Sequence, residues 1–361
     1  MLGPSRGPGD RVITPLQLYA EERVPEVSPP TESKRTATPS AAASRATAPC
    51  PGFVWLVFRT TVLLRVGPGG YQLVTVSEPS APSVAGLAKP GRPLVMAVVN
   101  VTPDSFSDGG HWFAPDAAVQ HGLRLIAEGA DIVDVGGEST RPGAPRTAMI
   151  EELRRVLPVI HQLTAAGAVV SVDTMRAEVA AAAIEAGAVI VNDVSGGLAD
   201  PQMLSTVADA EVAYVATHWR GHSAHMQDRA HYQNVASEVA DELVGRVAEI
   251  LSSGIAADRL VLDPGIGYAK TADQNWALIA GISHVSRLGY PLLIGASRKG
   301  FLGQLLTDAS GSPRPASQRD DATTALTTVL AGQGIWAFRT HTAGKHRDSI
   351  AVALRLLGLV P

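Results

Sequence analysis

From residue 93 onward the chain alternates short, almost unbroken apolar runs with stretches of helical periodicity. The runs are "LVMAVVN", "DIVDVGG", "VVSVDT", "VIVNDVSG", "AYVATHW", "RLVLDPG", "PLLIGAS" and "IWAFRTH". Each is of strand length, rich in Val and Ile, and apolar at successive positions. Parallel strands covered on both faces read this way. Between them, Val119, Leu123, Ile126 and Ala130 recur at helical spacing, as do Ile150, Leu153, Leu157 and Ile160, and later Ile350, Leu354 and Leu357. A glycine in "EGAD", "AAGAV" and "EAGAV" marks where a helix stops before the next strand. Eight strand-then-helix units predict an α/β chain folded as a (β/α)8 TIM barrel over residues 93–358. An open doubly wound sheet is the rival, but it normally uses fewer strands, and no G-x-G-x-x-G follows the first run.

The first 92 residues read differently. Residues 1–50 are rich in Pro, Ser, Thr, Ala and Arg without apolar periodicity, which predicts disorder. Two β-like runs, "FVWLVFRTTVLLRV" and "YQLVTV", flank "GPGG" and predict a hairpin, unless this stretch is upstream sequence from a mistaken start site. The loose "SEPSAPSVAGLAKPG" follows, so the segment up to residue 88 is expected to have no part in the barrel. The most membrane-like stretch is broken by Arg59 and Arg65 and is too short to span, and it lies too far in to be a signal peptide.

Composition narrows the class. The 361 residues are 45% hydrophobic and 18% charged, with a net charge of -4 and no long basic run, which argues against general nucleic-acid binding. Cys50 is the single cysteine, so no intrachain disulfide can form and a reducing cytoplasm is expected.

In such a barrel the active site gathers at the C-terminal strand ends. Those ends read Asn100, Asp134 with Gly136-Gly137-Glu138, Asp173, Asn192-Asp193, His218, Asp263, Ser297-Arg298-Lys299, and Arg339 with His341. Helix capping or a loop N–H would account for any one of them. A polar group at every end should converge on one mouth, and a ligand rich in donors and acceptors would satisfy them. Asp173, Asn192 and Asp263 suit a heterocycle with amino and ring N–H donors. Lys299, Arg339 and His341 follow the last two strands, where barrels often hold phosphate, and Arg339 and His341 point the same way from one strand. The expected site is therefore acidic at a ring end and basic at an anion end. The loops "NVTPDSFSDGG" and "GGESTRPGAPR" carry more polar groups than a connection needs and are candidates for a lid. No His-Glu-x-x-His, Gly-x-Ser-x-Gly or Walker A sequence is present, and His222, His225 and His231 read as a solvated loop.

"NVTPDSFSDGG", "DVGGESTRPGA", "SVDT", "NDVSGG", "LDPGIGYAK", "GASRKGFLG" and "FRTH" resemble, in order, the motif series of the dihydropteroate synthases over about residues 93–358. That resemblance implies condensation of 4-aminobenzoate with 6-hydroxymethyl-7,8-dihydropterin diphosphate, giving 7,8-dihydropteroate and pyrophosphate in folate synthesis. By motif position it implies that Asp173, Asn192, Asp263 and Lys299 hold the pterin. It gives the diphosphate to Asn100, Arg339 and His341, with Mg²⁺ at Asn100 and Asp108 as an outer partner. The aminobenzoate pocket falls to Phe106, Thr140, Arg141, Pro142 and Ser297, and the catalytic work to Asp173, Lys299, Arg339 and His341. It also implies a homodimer through the later helices, with small molecules as the only other partners: no nucleic acid and no membrane. Departures from the family pattern are Tyr268 for the commoner Phe, "THWRG" at the strand-five motif, and Thr342 where Asp is common. A pterin-binding methyltransferase would share Asp173, Asn192 and Asp263 without needing the aminobenzoate loops or the Arg-x-His pair. A non-catalytic pterin-binding paralogue should show damaged lid motifs, and these are whole.

Overall fold

The computed structural model describes residues 83–102, 115–139, 146–222 and 225–359, and the backbone of 61–66 and 70–75. The chain divides into two compact units, Met1–Glu78 and Pro79–Pro361. In the first, β1 (Thr61–Val66) and β2 (Gly70–Thr75) pair antiparallel, with Val66 opposite Gly70. This is the predicted hairpin, although the start of its first run lies outside the described residues.

In the second unit all eight apolar runs are strands of one parallel sheet: β3 (Leu94–Asn100), β4 (Ile132–Gly136), β5 (Val170–Asp173), β6 (Ile190–Asp193), β7 (Ala213–Thr217), β8 (Leu260–Asp263), β9 (Leu293–Ile294) and β10 (Ala337–Thr340). Each neighbours the next in sequence, and β10 returns to pair with β3. The ring closes between β8 and β9 through the parallel bridge of Leu262 with Leu292 and the bond from Leu262 N–H to the Pro291 carbonyl at 2.9 Å. It is the predicted (β/α)8 barrel. The principal helices are α1 (Pro115–Ala127), α2 (Met149–Ala165), α3 (Ala177–Glu185), α4 (Met203–Ala210), α5 (Val235–Ser252), α6 (Ala272–Ala280), α7 (Ser283–Ser286), α8 (Gly300–Leu305), α9 (Asp320–Leu330) and α10 (Ala343–Leu356).

Two expectations need correction. The buried face of α1 runs through Ala118, Val119, Gly122 and Leu125, and that of α2 through Glu152, Val156, Val159, Ile160 and Leu163, while Ile150 is exposed. Both faces keep one predicted residue, Val119 and Ile160, but are turned from the rest, and α2 buries an acid that the apolar pattern places outside. The stretch before residue 93 also contributes to the barrel. Val84 is 1% exposed in a cluster with Leu94, Met96, Ile132, Ile190, Val261 and Trp336, Leu87 packs against that cluster, and Ala85 N–H donates to Asp258 O at 2.8 Å. A lone valine between prolines and alanines carries no periodicity, which is why the sequence hides this plug.

Candidate active site

The strand ends surround a cleft of about 1180 Å³, lined among others by Asn100, Asp173, Ser297, Lys299, Arg339 and His341. That is room for more than one small ligand. Asn192 and Asp263, 2% and 5% exposed, sit in the barrel wall behind these residues.

The wall is organised around Asp134, a fully buried residue within β4. Its Oδ2 accepts from Asn192 Nδ2 at 3.0 Å and from Arg339 Nε at 2.6 Å. Arg339 Nη2 donates to Asp173 Oδ2 at 2.6 Å. Strands β4, β5, β6 and β10 are thus tied together by one guanidinium and three side chains. Arg339, expected at the anion end, thus bonds the acids of the expected ring end, so the two ends meet at this guanidinium. Two buried carboxylates need a counter-charge, and the planar fork of arginine can serve both. Burial pushes Asp173 up to about 7, with Arg339 opposing the rise and Asp134 adding to it.

Lys299 is aimed by a tight turn. Arg298 takes a left-handed φ of 59°, held by a two-pronged pair with Asp320 at 2.6 and 2.8 Å. Lys299 Nζ then donates to Ile266 O and lies 4.3 Å from the centre of the Tyr268 ring. Gly267 lies beneath it at a left-handed φ of 85°, and a Cβ there would come within 2.6 Å of Lys299 Cδ. Burial lowers Lys299 to about 8, and Asp263 resists that change. Burial likewise raises Asp263, which Lys299 opposes, while Asp263 Oδ1 accepts from Gly265 N–H at 2.7 Å. On the other flank His341 Nδ1 and Ser297 Oγ are 2.8 Å apart, so a residue read as diphosphate-binding and one read as aminobenzoate-binding touch.

Glu138, Asp193 and His218 do not join the mouth. Asp193 accepts from Ser195 N–H, Ser195 Oγ, Gly197 N–H and Tyr214 Oη, which makes it the anchor of its own turn. His218 faces Glu242 and Lys270. Phe106, Asp108, Thr140, Arg141 and Pro142 lie outside the described residues. Sequence reasoning also missed Arg176, which grips both bases of the second loop. Its Nη1 donates to Glu138 Oε2 at 2.9 Å and also bonds the buried Glu152, and its Nη2 donates to Thr147 O at 2.6 Å. Thr174 Oγ1 completes Glu152 at 2.7 Å. The available signal was an arginine three residues beyond a strand-end aspartate, opposite an acid on an otherwise apolar helix face.

Comparison with known proteins extends these observations. Residues 96–341 match the family model described as pterin binding enzyme. The dihydropteroate synthase of Mycobacterium leprae is 50% identical over 259 residues, covering 72% of this chain and 91% of that protein. A Xanthomonas albilineans dihydropteroate synthase structure with 4-aminobenzoic acid superposes with a TM-score of 0.69 at 42% identity, covering 75% of this chain and 94% of the other. The enzyme from the same organism in complex with 7,8-dihydropteroate gives 0.66 at 39% identity, covering 75% and 95%. With half of the aligned positions shared across nearly the whole of a relative, and the barrel matched in space, the chain belongs to the dihydropteroate synthase family of pterin-binding enzymes.

Proposed function

We propose that this chain condenses 4-aminobenzoate with 6-hydroxymethyl-7,8-dihydropterin diphosphate, releasing pyrophosphate and 7,8-dihydropteroate. The observation that carries the reading is that Asp173, Lys299 and Arg339 line one cleft, with Asp134 and Asn192 bonded to the array from the wall behind. In this assignment Asp173, Asn192, Asp263 and Lys299 take the amino, ring N–H and carbonyl groups of the pterin. Asn100, Arg339 and His341 receive the diphosphate. Phe106, Thr140, Arg141, Pro142 and Ser297 form the second substrate's pocket.

The bond from the pterin methylene to the diphosphate oxygen breaks with its electron pair leaving on pyrophosphate. Arg339 and His341 meet the charge that grows there, and the buried Asp173 carboxylate stabilises the cationic methylene left behind. The aniline nitrogen, neutral near pH 7, forms the new C–N bond and then loses its extra proton to water. This chemistry needs neither a protein nucleophile nor a strong base.

Mg²⁺ fits as a partner of the diphosphate. Among the described residues no group of three His, Cys, Asp or Glu side chains forms a cage. A hard cation that keeps its waters and takes phosphate oxygens needs only one or two protein ligands, and Asn100 offers an amide oxygen in the cleft. Asn100 would hold it with Asp108 as an outer partner, and when bound it would neutralise diphosphate charge. We also assign a homodimer formed through α9 and α10, on which Val329, Val352 and Leu356 are 65%, 55% and 80% exposed. The lone Cys50 supports a cytoplasmic location. No helix among the described residues is long and apolar enough to cross a membrane.

The test is direct. Purified protein mixed with both substrates and Mg²⁺ should release one pyrophosphate for each dihydropteroate formed. Pterin binding without pyrophosphate release would overturn the reading.

A further inference from the structure

The motif "LDPGIGYAK" ends in a lysine that the proposed reaction does not use. Lys270 is 3% exposed and does not line the cleft. Its Nζ donates to Gly265 O at 3.1 Å and Tyr268 O at 3.0 Å, and stands 3.1 Å from His218 Nδ1. His218 Nε2 lies 2.9 Å from Glu242 Oε2. A carboxylate accepts, so Nε2 carries the imidazole proton and Nδ1 is left as the acceptor for lysine. Each of the three protons of an ammonium then has a partner.

These bonds shape the loop between β8 and α6. Gly265 has a φ of 69° and passes so close to the end of β7 that a Cβ would fall 2.4 Å from His218 O. Ala269 is left-handed at a φ of 49° without being glycine, a conformation that persists only where its surroundings impose it. The same loop presents Ile266 O and the Tyr268 ring to Lys299. Lys270 ties two of its carbonyls from behind.

We propose that Lys270, oriented by His218 and Glu242, is a positioning residue that fixes the loop 264–269 in the shape that seats Lys299 against the pterin. The inference rests on the assignment of Lys299 to the pterin. Lys270 meets no substrate and acts only through the loop. Burial pushes Lys270 down to about 7, with Asp263 and Glu242 opposing and Lys299 and Arg220 assisting, and pushes His218 down to about 4, which leaves the imidazole neutral as the bonding requires. The Tyr232 ring, 5.7 Å from Nζ, completes the surroundings.

The test is a double-mutant cycle read by calorimetry with 6-hydroxymethylpterin, together with amide exchange of residues 265–270 in the free protein. Lys270→Met should speed exchange across the loop and weaken the pterin on the order of tenfold, with pyrophosphate affinity kept. In a Lys299→Met background the same change should cost little more. Unchanged exchange overturns the proposal whatever the ligand data, and so does an equal loss in both backgrounds. If Lys299→Met alone leaves pterin affinity intact, the pterin assignment fails, while exchange still decides what Lys270 holds. A second pair guards against misfolding: His218→Asn keeps an acceptor where Nδ1 stands, whereas His218→Gln moves it away. The glutamine variant alone should weaken the pterin, and equal behaviour of the two overturns the part given to His218.

Discussion

Arg339 donates to two carboxylates, one wholly buried and one 7% exposed in its side chain. Removing one member of a buried pair typically costs about 3–5 kcal/mol, because the other charge stays behind. Arg339→Ala should therefore lower stability, and it should also weaken the bare pterin on the order of tenfold at neutral pH, since the carboxylate loses a charge-assisted partner worth about 1.5–3 kcal/mol. Without the guanidinium Asp173 holds its proton more tightly, so affinity should partly return at alkaline pH. Calorimetry showing unchanged pterin affinity at pH 7 would contradict this. The sequence alone implied the opposite, because it shows Arg339 beside His341 and, although Asp134 is visible at its strand, reveals nothing of that residue's two partners. Asp173 itself makes a pH prediction. Its native carboxyl titrates near 7 through burial, against an ordinary value of 3.8. Between those values the native state binds more protons than the unfolded state, so stability should fall as pH rises through that window. Denaturant titrations of Asp173→Asn, which cannot ionise there, should lose this part of the slope. A variant that keeps the wild-type slope would remove Asp173 as the group responsible.

Among the elements, the strands were legible because each is apolar on both sides, and that pattern needs no partner to be recognised. The helix faces were less so. Glu152 is buried in α2 because Arg176 and Thr174 reach it from the turn after β5, and no local pattern announces a contact across that distance. The same blindness hid the segment at residues 83–88. Truncation through residue 78 should leave melting unchanged, since the barrel unit begins at Pro79. Truncation through residue 88 should remove about 2 kcal/mol for Val84 alone, with more for Leu87 and the Ala85 bond. Equal melting temperatures for the two truncations would show that this plug adds nothing to stability.

At the scale of the molecule, α9 and α10 leave Val329, Val352 and Leu356 in the open, with Val352 and Leu356 one turn apart on the same helix face. If this is the face that joins two copies, Val352→Glu with Leu356→Glu should give a monomer by light scattering with its far-ultraviolet spectrum intact. A dimer that survives both charges would place the interface elsewhere. The ring itself has a further consequence. A closed barrel offers no strand edge to another chain, which protects it from sticking to its neighbours. Its thinnest closure is the join of β8 to β9, a single bridge beside a strand of two residues. Heat should part the ring there first and turn two inner strands into adhesive rims. Asp263 ends β8 and Lys299 follows β9, so a pterin gripping both would staple the seam from within. We predict that protein warmed with bare pterin turns turbid at a higher temperature than protein warmed with pyrophosphate at equal occupancy. Turbidity starting together in both would mean that the aggregating surface opens elsewhere.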